Sequence, residues 1–406
     1  MKALICGAGI AGLALAERLD AIGWQVTVAE RAPGPRPQGY MIDFFGPGYD
    51  AARATGLLPR LHELGYQVQE LAYRDAAGRR RAGLDFGRFA GALGGRLVSI
   101  MRPDLELALR ERLPDTVELR FGAAVTALEQ HAGGVRATLK GGEQVEADLL
   151  VGADGIHSAV RALVFGDERR HLRYLGFHTA AFVFDDAAVH AEVAGTFSLT
   201  DTAGRQMGFY GLRDGRVAAF AVHRAADPAL PADPRAALLA AYAGLGWVVP
   251  RALAACPPGE RLYYDQVAQV EPPAWSSGRV TLAGDACGAV SLLAGQGASL
   301  AVAGAYVLAD RLARGGPVEA ALADYERLWR PVVADKQRAA RSGVNWFLPD
   351  TPLRLGVRRA ALRLSALPGV DRLVAGALTG KSTALVTELA AAGDRRGATG
   401  PGLTSR

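Results

Sequence analysis

Cysteine is scarce in this chain of 406 residues: Cys6, Cys256 and Cys287 are three in number and far apart. They build neither a disulfide framework nor a CxxC metal pair, so a reducing cytoplasm is the expected compartment. The seven histidines are dispersed, without HxH or HExxH spacing, which leaves a metal site unsupported. Lysine is nearly missing, so the net charge of +5 and the pI near 9.2 are carried by arginine. Those arginines alternate with Asp or Glu instead of running with aromatics. An ion-paired surface is therefore expected, and a nucleic-acid partner is not. A strand beginning at Lys2 leaves no room for a secretory leader. One uncharged run, Ala286 to Ala309, has the length of a bilayer span. Gly288, Gly295, Gly297 and Gly304 within it, and a Gly-Asp turn before it, predict instead a buried loop leading into a core helix. No membrane span is expected. No internal repeat stands out either.

What is present is the composition of a globular protein, with half the residues hydrophobic and 21% charged. The length predicts two intertwined domains. Lys2 to Cys6 reads as a strand, Ile10 to Ala21 as a helix and Gln25 to Ala29 as a second strand. That unit forces parallel pairing with a right-handed crossover. Helices are expected over Asp50 to Leu64 and Arg102 to Arg112, the second with Pro103 near its start. Short β runs follow at Val117 to Leu119, Ala124 to Leu128, Val135 to Leu139 and Asp148 to Gly152. Between Leu175 and Val222 the pattern becomes alternating strands, with Asp214-Gly215 as a hairpin turn, so a separate antiparallel sheet is expected. A buried strand returns at Arg279 to Ala283, followed by a long helix from Ala298 to Leu312.

Three clusters carry chemistry. In GAGIAG, Gly7 allows the turn after the strand, Gly9 lets a pyrophosphate approach, and Gly12 permits close helix packing. Ile10 and Ala11 open the helix, whose free amides face an anion. Glu30 ends the second strand, at the distance that suits a carboxylate reaching ribose hydroxyls. The second cluster, GADGIHSAVR, holds Asp154, Gly155, Ser158 and Arg161, and by itself reads as a turn plus a helix cap. The third runs from Leu282 to Ala301. There Gly284 and Asp285 follow a buried strand, and Gly295, Gly297 and Ala298 precede the long helix.

With these motifs in this order, the chain resembles the class A flavoprotein monooxygenases, the family of para-hydroxybenzoate hydroxylase, over roughly residues 1 to 340. It looks most like the branches that hydroxylate polycyclic aromatic natural products or inactivate tetracyclines. The resemblance implies FAD as cofactor and NAD(P)H as co-substrate. It implies that Glu30, with Arg31 beside it, binds the adenosine ribose, and that Arg102 reaches the diphosphate and ribityl region. Asp43 would stand beside the flavin, Asp285 would bind the ribityl chain, and Gly295 to Ala298 would lie against the isoalloxazine. Asp154 and Arg161 belong to a motif tied to FAD and NAD(P)H, and Val125 is counted among the cofactor contacts. Two places depart from the family pattern, Gly288 and Ser291, where a His and a Pro are frequent.

The fold class implied is α/β: a Rossmann-like FAD-binding domain, an inserted antiparallel β-sheet substrate domain and a C-terminal helical segment. FAD-binding segments are expected at 1–70, 96–170 and 270–345, and substrate-domain strands at 71–95. The substrate-binding sheet domain is expected at 171–269, C-terminal helices at 346–392 and a disordered tail at 393–406. The implied reaction hydroxylates a bulky aromatic or polyketide-like molecule through a flavin C4a-hydroperoxide, with no obligatory catalytic side chain. Epoxidation, Baeyer–Villiger insertion and sequestration of a polycyclic ligand without turnover stay open. A flavin halogenase is disfavoured, because the tryptophans never form WxW. A nicotinamide-only dehydrogenase has no use for the late Gly-Asp loop.

Tyr210, on the strand MGFYGL, is a candidate for binding a phenolic substrate, with Phe209 and Phe220 as candidate pocket walls. Core packing is the plainer reading for all three. His178 and His223 read as structural or exposed. The stretch Leu353 to Leu373, with Arg354, Arg358, Arg359, Arg363 and Arg372, is expected to pack its apolar face inward and leave its arginines in water. A small aromatic molecule is the expected partner of a monomer or homodimer.

Overall fold

The computed structural model describes residues 1–36, 39–292, 295–364 and 383–398. β1 (Lys2–Cys6), α1 (Ile10–Ala21) and β2 (Gln25–Glu30) form the opening crossover. β1 pairs in parallel with β2 on one side and with Leu149–Gly152 on the other. Val280–Leu282 and Glu118–Phe121 extend the parallel sheet at its two ends, and Ser276–Ser277 adds an antiparallel edge. Parallel strands covered on both faces are written as aliphatic runs, not alternations. Leu149, Leu150 and Val151 are accordingly all buried. The helix Gly297–Leu312 packs beside α1 and is buried along most of its length.

A second sheet has seven strands, in the order 263–270, 172–184, 217–224, 205–211, 196–202, 70–74 and 80–85. Only the 196–202 and 70–74 pair runs parallel. One face of this sheet buries Phe182, Phe209 and Val217 under the helices Pro234–Tyr242 and Val249–Ala254. The other face carries Phe177, Tyr210, Phe220 and Val222. It meets the ribbon formed by Met41–Phe45 and Leu97–Met101, and the end of the helix Val318–Phe347. The fold is thus α/β, with a Rossmann-like part and a largely antiparallel sheet part. Among the described residues, no helix is long and apolar enough to cross a membrane.

Three expectations change. The helix expected over 50–64 is two helices, Pro47–Ala54 and Leu58–Leu64. Pro59 sits in the first turn of the second, where its missing N–H costs nothing, and would have broken a continuous one. The tail expected to be disordered from Gly393 begins inside the helix Leu385–Ala398, which Val386 and Leu389 anchor in the core. Residues 399–406 lie outside the described residues. Of the basic stretch, the helix Pro352–Leu364 is described, and Arg372 lies outside the described residues. Its arginines do not all stay in water. Arg358 and Arg359 both pair with Asp201, a carboxylate buried in the sheet, and Arg358 lies over the Tyr73 ring. Leu355 and Leu362 also turn inward, while Leu353 and Val357 are exposed. A buried carboxylate needs its counter-charge more than an aliphatic side chain needs shelter.

Candidate active site

The turn between β1 and α1 is built by close contact. Gly7 holds φ at +109°, and a Cβ there would lie 2.5 Å from the Ala153 carbonyl oxygen. A Cβ on Gly12 would lie 1.9 Å from the Gly7 oxygen, so the helix can follow the turn this closely only without a side chain. Gly9 differs: its Cβ would project into a cleft, with Glu106 Oε1 and Arg102 Nη2 as nearest atoms at 3.7 and 4.0 Å. The cleft is walled by Ala8, Gly9, Glu30, Arg36, Arg102, Glu106, Leu119 and Phe121 among others. α1 points its N-terminus here with no side-chain cap, so the first amides, from Ile10 onward, are free for an anion. Glu30 is fixed at the rim, accepting hydrogen bonds from the backbone of Ala8 at 2.9 Å and of Ala32 at 2.8 Å. This cradle fits a nucleotide diphosphate: room at Gly9, a positive helix end and two guanidiniums.

Two expected contacts fall elsewhere. Arg31 is exposed, and Arg36 lines the cleft instead, 3.6 Å from the Glu30 carboxylate. Val125 is buried in the core and paired with Leu139, because its strand belongs to the small three-stranded sheet, and Leu119 and Phe121 form that wall.

Farther along the cleft, Arg102 opens the helix Arg102–Arg110 and pairs with Glu106 at 2.8 Å. Its backbone N–H donates to the Tyr40 carbonyl. The Gly-Asp loop abuts α1 so closely that a Cβ on Gly284 would lie 2.7 Å from that of Ala11. Asp285 Oδ1 lies 3.7 Å from the Cβ position of Gly297, at the N-terminus of the helix Gly297–Leu312. Burial raises the Asp285 carboxyl above the usual range, and Arg102 pulls the other way. The side chain is ringed by protein and yet keeps accessible surface, which places it on the wall of an internal cleft. Gly295 donates to the Leu292 carbonyl, and Ala298 is half-buried in the first turn of the helix. Gly288 packs on Val333, 2.7 Å from where a Cβ would be, which leaves no room for a histidine. Ser291 holds φ at +78°, strained for a side chain, with its Oγ buried and unpartnered among the described residues.

Asp154 and Arg161 are committed within the protein rather than presented to the cleft. Asp154 accepts from Ser158 Oγ and from the Val160 amide, and Ser158 caps the helix Ala159–Phe165. Arg161 is fully buried and donates to the carbonyls of Ile156 and Ala286 and to Glu168. The turn-and-cap reading of this motif describes the geometry, in which Arg161 also supports the Gly-Asp loop through the Ala286 carbonyl. Sequence reasoning missed His157 in the same motif. It bridges Glu168 at 2.9 Å and Asp265 at 3.1 Å, and so joins the motif to the strand Tyr263–Val270 of the large sheet. Nothing local announces a pair 108 residues apart.

An aromatic cluster lies near Asp285. The Tyr40 ring lies 5.1 Å from Phe220 and 6.0 Å from Tyr263. Tyr210 stacks on Phe197 at 4.1 Å. Asp43 accepts from Ser99 Oγ at 2.6 Å and stands close enough to Tyr210 to raise its phenol. Burial pushes the Asp43 carboxyl up to about 6 against the Ser99 hydrogen bond. Tyr210 and Phe220 therefore share one face of the large sheet. Phe209 does not: alternation sends it to the opposite face, edge-on to Trp247. His178 and His223 lie together beside Tyr264, and burial lowers both, His223 to about 4. Tyr40, Tyr263, Ser99, Arg36 and Glu106 were not singled out from sequence. Of these, Glu106 alone carried a signal, one helical turn past Arg102.

Residues 1–340 match the model of a family described as FAD binding domain. A flavin-dependent monooxygenase from an unknown prokaryotic organism is 31% identical over 357 residues, covering 87% of this chain and 91% of that protein. The 3-amino-4-hydroxybenzoate 2-monooxygenase PtnB3 of Streptomyces platensis is 32% identical, covering 91% of this chain and 93% of its own. Among solved structures, tetracycline destructase Tet(55) superposes with a TM-score of 0.79 at 29% identity, covering 93% of this chain and 97% of that one. Klebsiella pneumoniae HpxO, crystallised with FAD and uric acid, superposes with a TM-score of 0.77 at 25% identity, covering 93% and 96%.

Proposed function

Since the chain belongs to the FAD binding domain family of class A flavin-dependent monooxygenases, we propose that it uses NAD(P)H and O2 to hydroxylate a bulky aromatic or polyketide-like molecule. The observation that carries this reading is the cleft at the start of α1, walled by Gly9, Glu30, Arg36 and Arg102. Arg102 and Asp285 both stand near Tyr40, which packs with Tyr210 and Phe220 in one aromatic cluster. The chemistry that bound FAD supplies is acceptance of hydride from reduced nicotinamide and activation of dioxygen.

The protein's own part is holding and orienting. The α1 amides, Arg36 and Arg102 neutralise the diphosphate, and Glu30 accepts from the ribose hydroxyls. Asp285, beside the N-terminus of the helix Gly297–Leu312, would hold the ribityl chain of the bound cofactor. The large sheet and the end of the helix Val318–Phe347 pack together around this aromatic cluster, an apolar setting in which few polar groups suffice to orient a substrate. Support for an aromatic substrate comes from the aromatic cluster near Asp285 and from relatives named for aromatic substrates.

The test is an absorbance spectrum of the purified protein, followed by nicotinamide oxidation assayed across a panel of aromatic compounds. The expected outcome is bound flavin, reduced by NADH or NADPH, with stimulation by an aromatic compound that gains one oxygen atom. Bound flavin that neither nucleotide reduces would overturn the reading. The mass and connectivity of the product separate hydroxylation from epoxidation and from Baeyer–Villiger insertion.

A further inference from the structure

The cleft at the start of α1 is lined by three arginines, Arg36, Arg102 and Arg110, and by two carboxylates, Glu30 and Glu106. Together these side chains leave one net positive charge. A cofactor diphosphate brings two negative charges, of which the N-terminus of α1 offsets about half of one. Filling the cleft therefore leaves it short of positive charge, and both carboxylates are already buried away from water.

The two carboxylates are held differently. Glu30 is fixed by backbone, since its two oxygens accept the amide hydrogens of Ala8 and Ala32, and those donors stay in place when a cofactor arrives. Glu106 has instead a side-chain partner, the Arg102 guanidinium at 2.8 Å. Glu106 Oε1 lies 3.7 Å and Arg102 Nη2 4.0 Å from the Cβ position of Gly9, so both stand where the backbone leaves room for a pyrophosphate. A diphosphate seated there draws on the same guanidinium and meets Glu106 as a like charge. Burial raises the Glu106 carboxyl above its usual range. Arg102 and Arg36 oppose that rise, Glu30 on the facing loop adds to it, and Arg110 on the same helix opposes it.

We propose that Glu106 takes up a proton as the cofactor diphosphate binds, releasing Arg102 from its own carboxylate to the phosphate oxygens. Before loading, Glu106 keeps Arg102 from standing as an unpaired, partly buried cation. After loading, the diphosphate does so. The proton comes from solvent and stays on a Glu106 oxygen, so cofactor binding weakens as pH rises. The inference rests on this cleft being the cofactor's place, and it concerns loading rather than oxygen transfer.

Calorimetric titration of apoprotein with FAD at about pH 6, in MES and again in imidazole buffer, counts the proton, because the two buffers differ in heat of ionisation. A diphosphate diester is fully ionised there, so the uptake belongs to the protein. ADP-ribose is the second probe. It carries the same diphosphate without the flavin and its ribityl chain, and so leaves Asp285 out of the count. We expect about 0.5 to 1 proton per molecule with both probes, and a dissociation constant for FAD that rises about tenfold between about pH 6 and 7.5. In Glu106→Gln the uptake should vanish, and at about pH 8 FAD should bind about tenfold tighter than to wild type. Wild-type uptake near zero, uptake with FAD but none with ADP-ribose, or uptake that persists in Glu106→Gln would each overturn the proposal. The two probes are compared on the wild type, so a substituted chain that fails to fold leaves the test intact. Tight FAD binding without a proton would sink this proposal and keep the hydroxylation reading. A chain that takes up the proton but whose flavin neither nucleotide reduces would do the reverse.

Discussion

Arg161 donates from Nη1 to the carbonyl oxygen of Ala286 at 3.0 Å, tying the turn after the strand Leu149–Gly152 to the loop that carries Asp285. The same guanidinium reaches Ile156 and Glu168, so a single buried side chain braces both segments. Arg161→Met leaves these acceptors without a donor and is expected to cost about 3 kcal/mol. Thermal stability and retained flavin should fall together, with Arg161→Lys intermediate. A methionine variant that melts like the wild type would refute the bracing role.

Gly12→Ala is expected to separate α1 from its turn, because the added carbon would sit 1.9 Å from the Gly7 oxygen. Overpacking of this kind costs roughly 1–3 kcal/mol. The purified variant should be colourless or nearly so, judged by the ratio of flavin to protein absorbance.

Glu30→Gln replaces one of two accepting oxygens with an amide nitrogen that faces a backbone donor. Losing a hydrogen bond to a charged group costs about 1.5–3 kcal/mol. Fluorescence titration of apoprotein with FAD should show affinity weakened by about 10- to 100-fold. Unchanged affinity would mean that Glu30 only shapes the loop.

His157 gives stability a pH dependence. Asp265 raises its imidazole most, burial opposes and Glu168 adds, so that it is pushed up to about 9. A folded value above the unfolded one, near 6.5, means the contribution is complete below about pH 6.5 and lost as pH rises through 9. With the side chain 32% exposed, screening reduces the effect to roughly 1–2 kcal/mol. Melting temperatures of wild type and His157→Asn, taken from pH 6 to about 9.5, should converge at the alkaline end.

Asp43 acts in the opposite pH region. Its folded value of about 6 lies above that of an unfolded aspartate. Its contribution is therefore complete below about pH 4 and lost as pH rises through 6. Above that range Asp43→Asn should be at least as stable as wild type, by up to about 2 kcal/mol. A clear loss of stability in that variant at neutral pH would count against an unpaired, desolvated carboxylate.

How much of this was legible in the sequence depends on the range of the interaction. Gly7 and Gly12 answer to backbone crowding within one turn, so their spacing announced both the fold and the cradle. Glu30 was readable because a strand's end fixes its place. Alternation separates Phe209 from Tyr210, yet no local rule says which face a helix will cover, and the helices that cover Phe209 come later in the chain. Arg31 and Arg36 share a loop, and only its path decides which one turns to the cleft. His157 with Asp265, and Arg358 with Asp201, are pairings between distant segments, and composition carries no trace of them.

The order of strands in the parallel sheet bears on how the protein is made. Val280–Leu282 is the neighbour of Leu149–Gly152, and the latter's side chains end up sealed from water. On the ribosome, that oily margin emerges long before its partner does. The nascent protein must therefore carry an open, hydrophobic sheet edge while five of the seven strands of the second sheet are being synthesised. Slowed elongation or an early stop between residues 152 and 280 would leave that margin bare, and clumping of the unfinished chain would begin there.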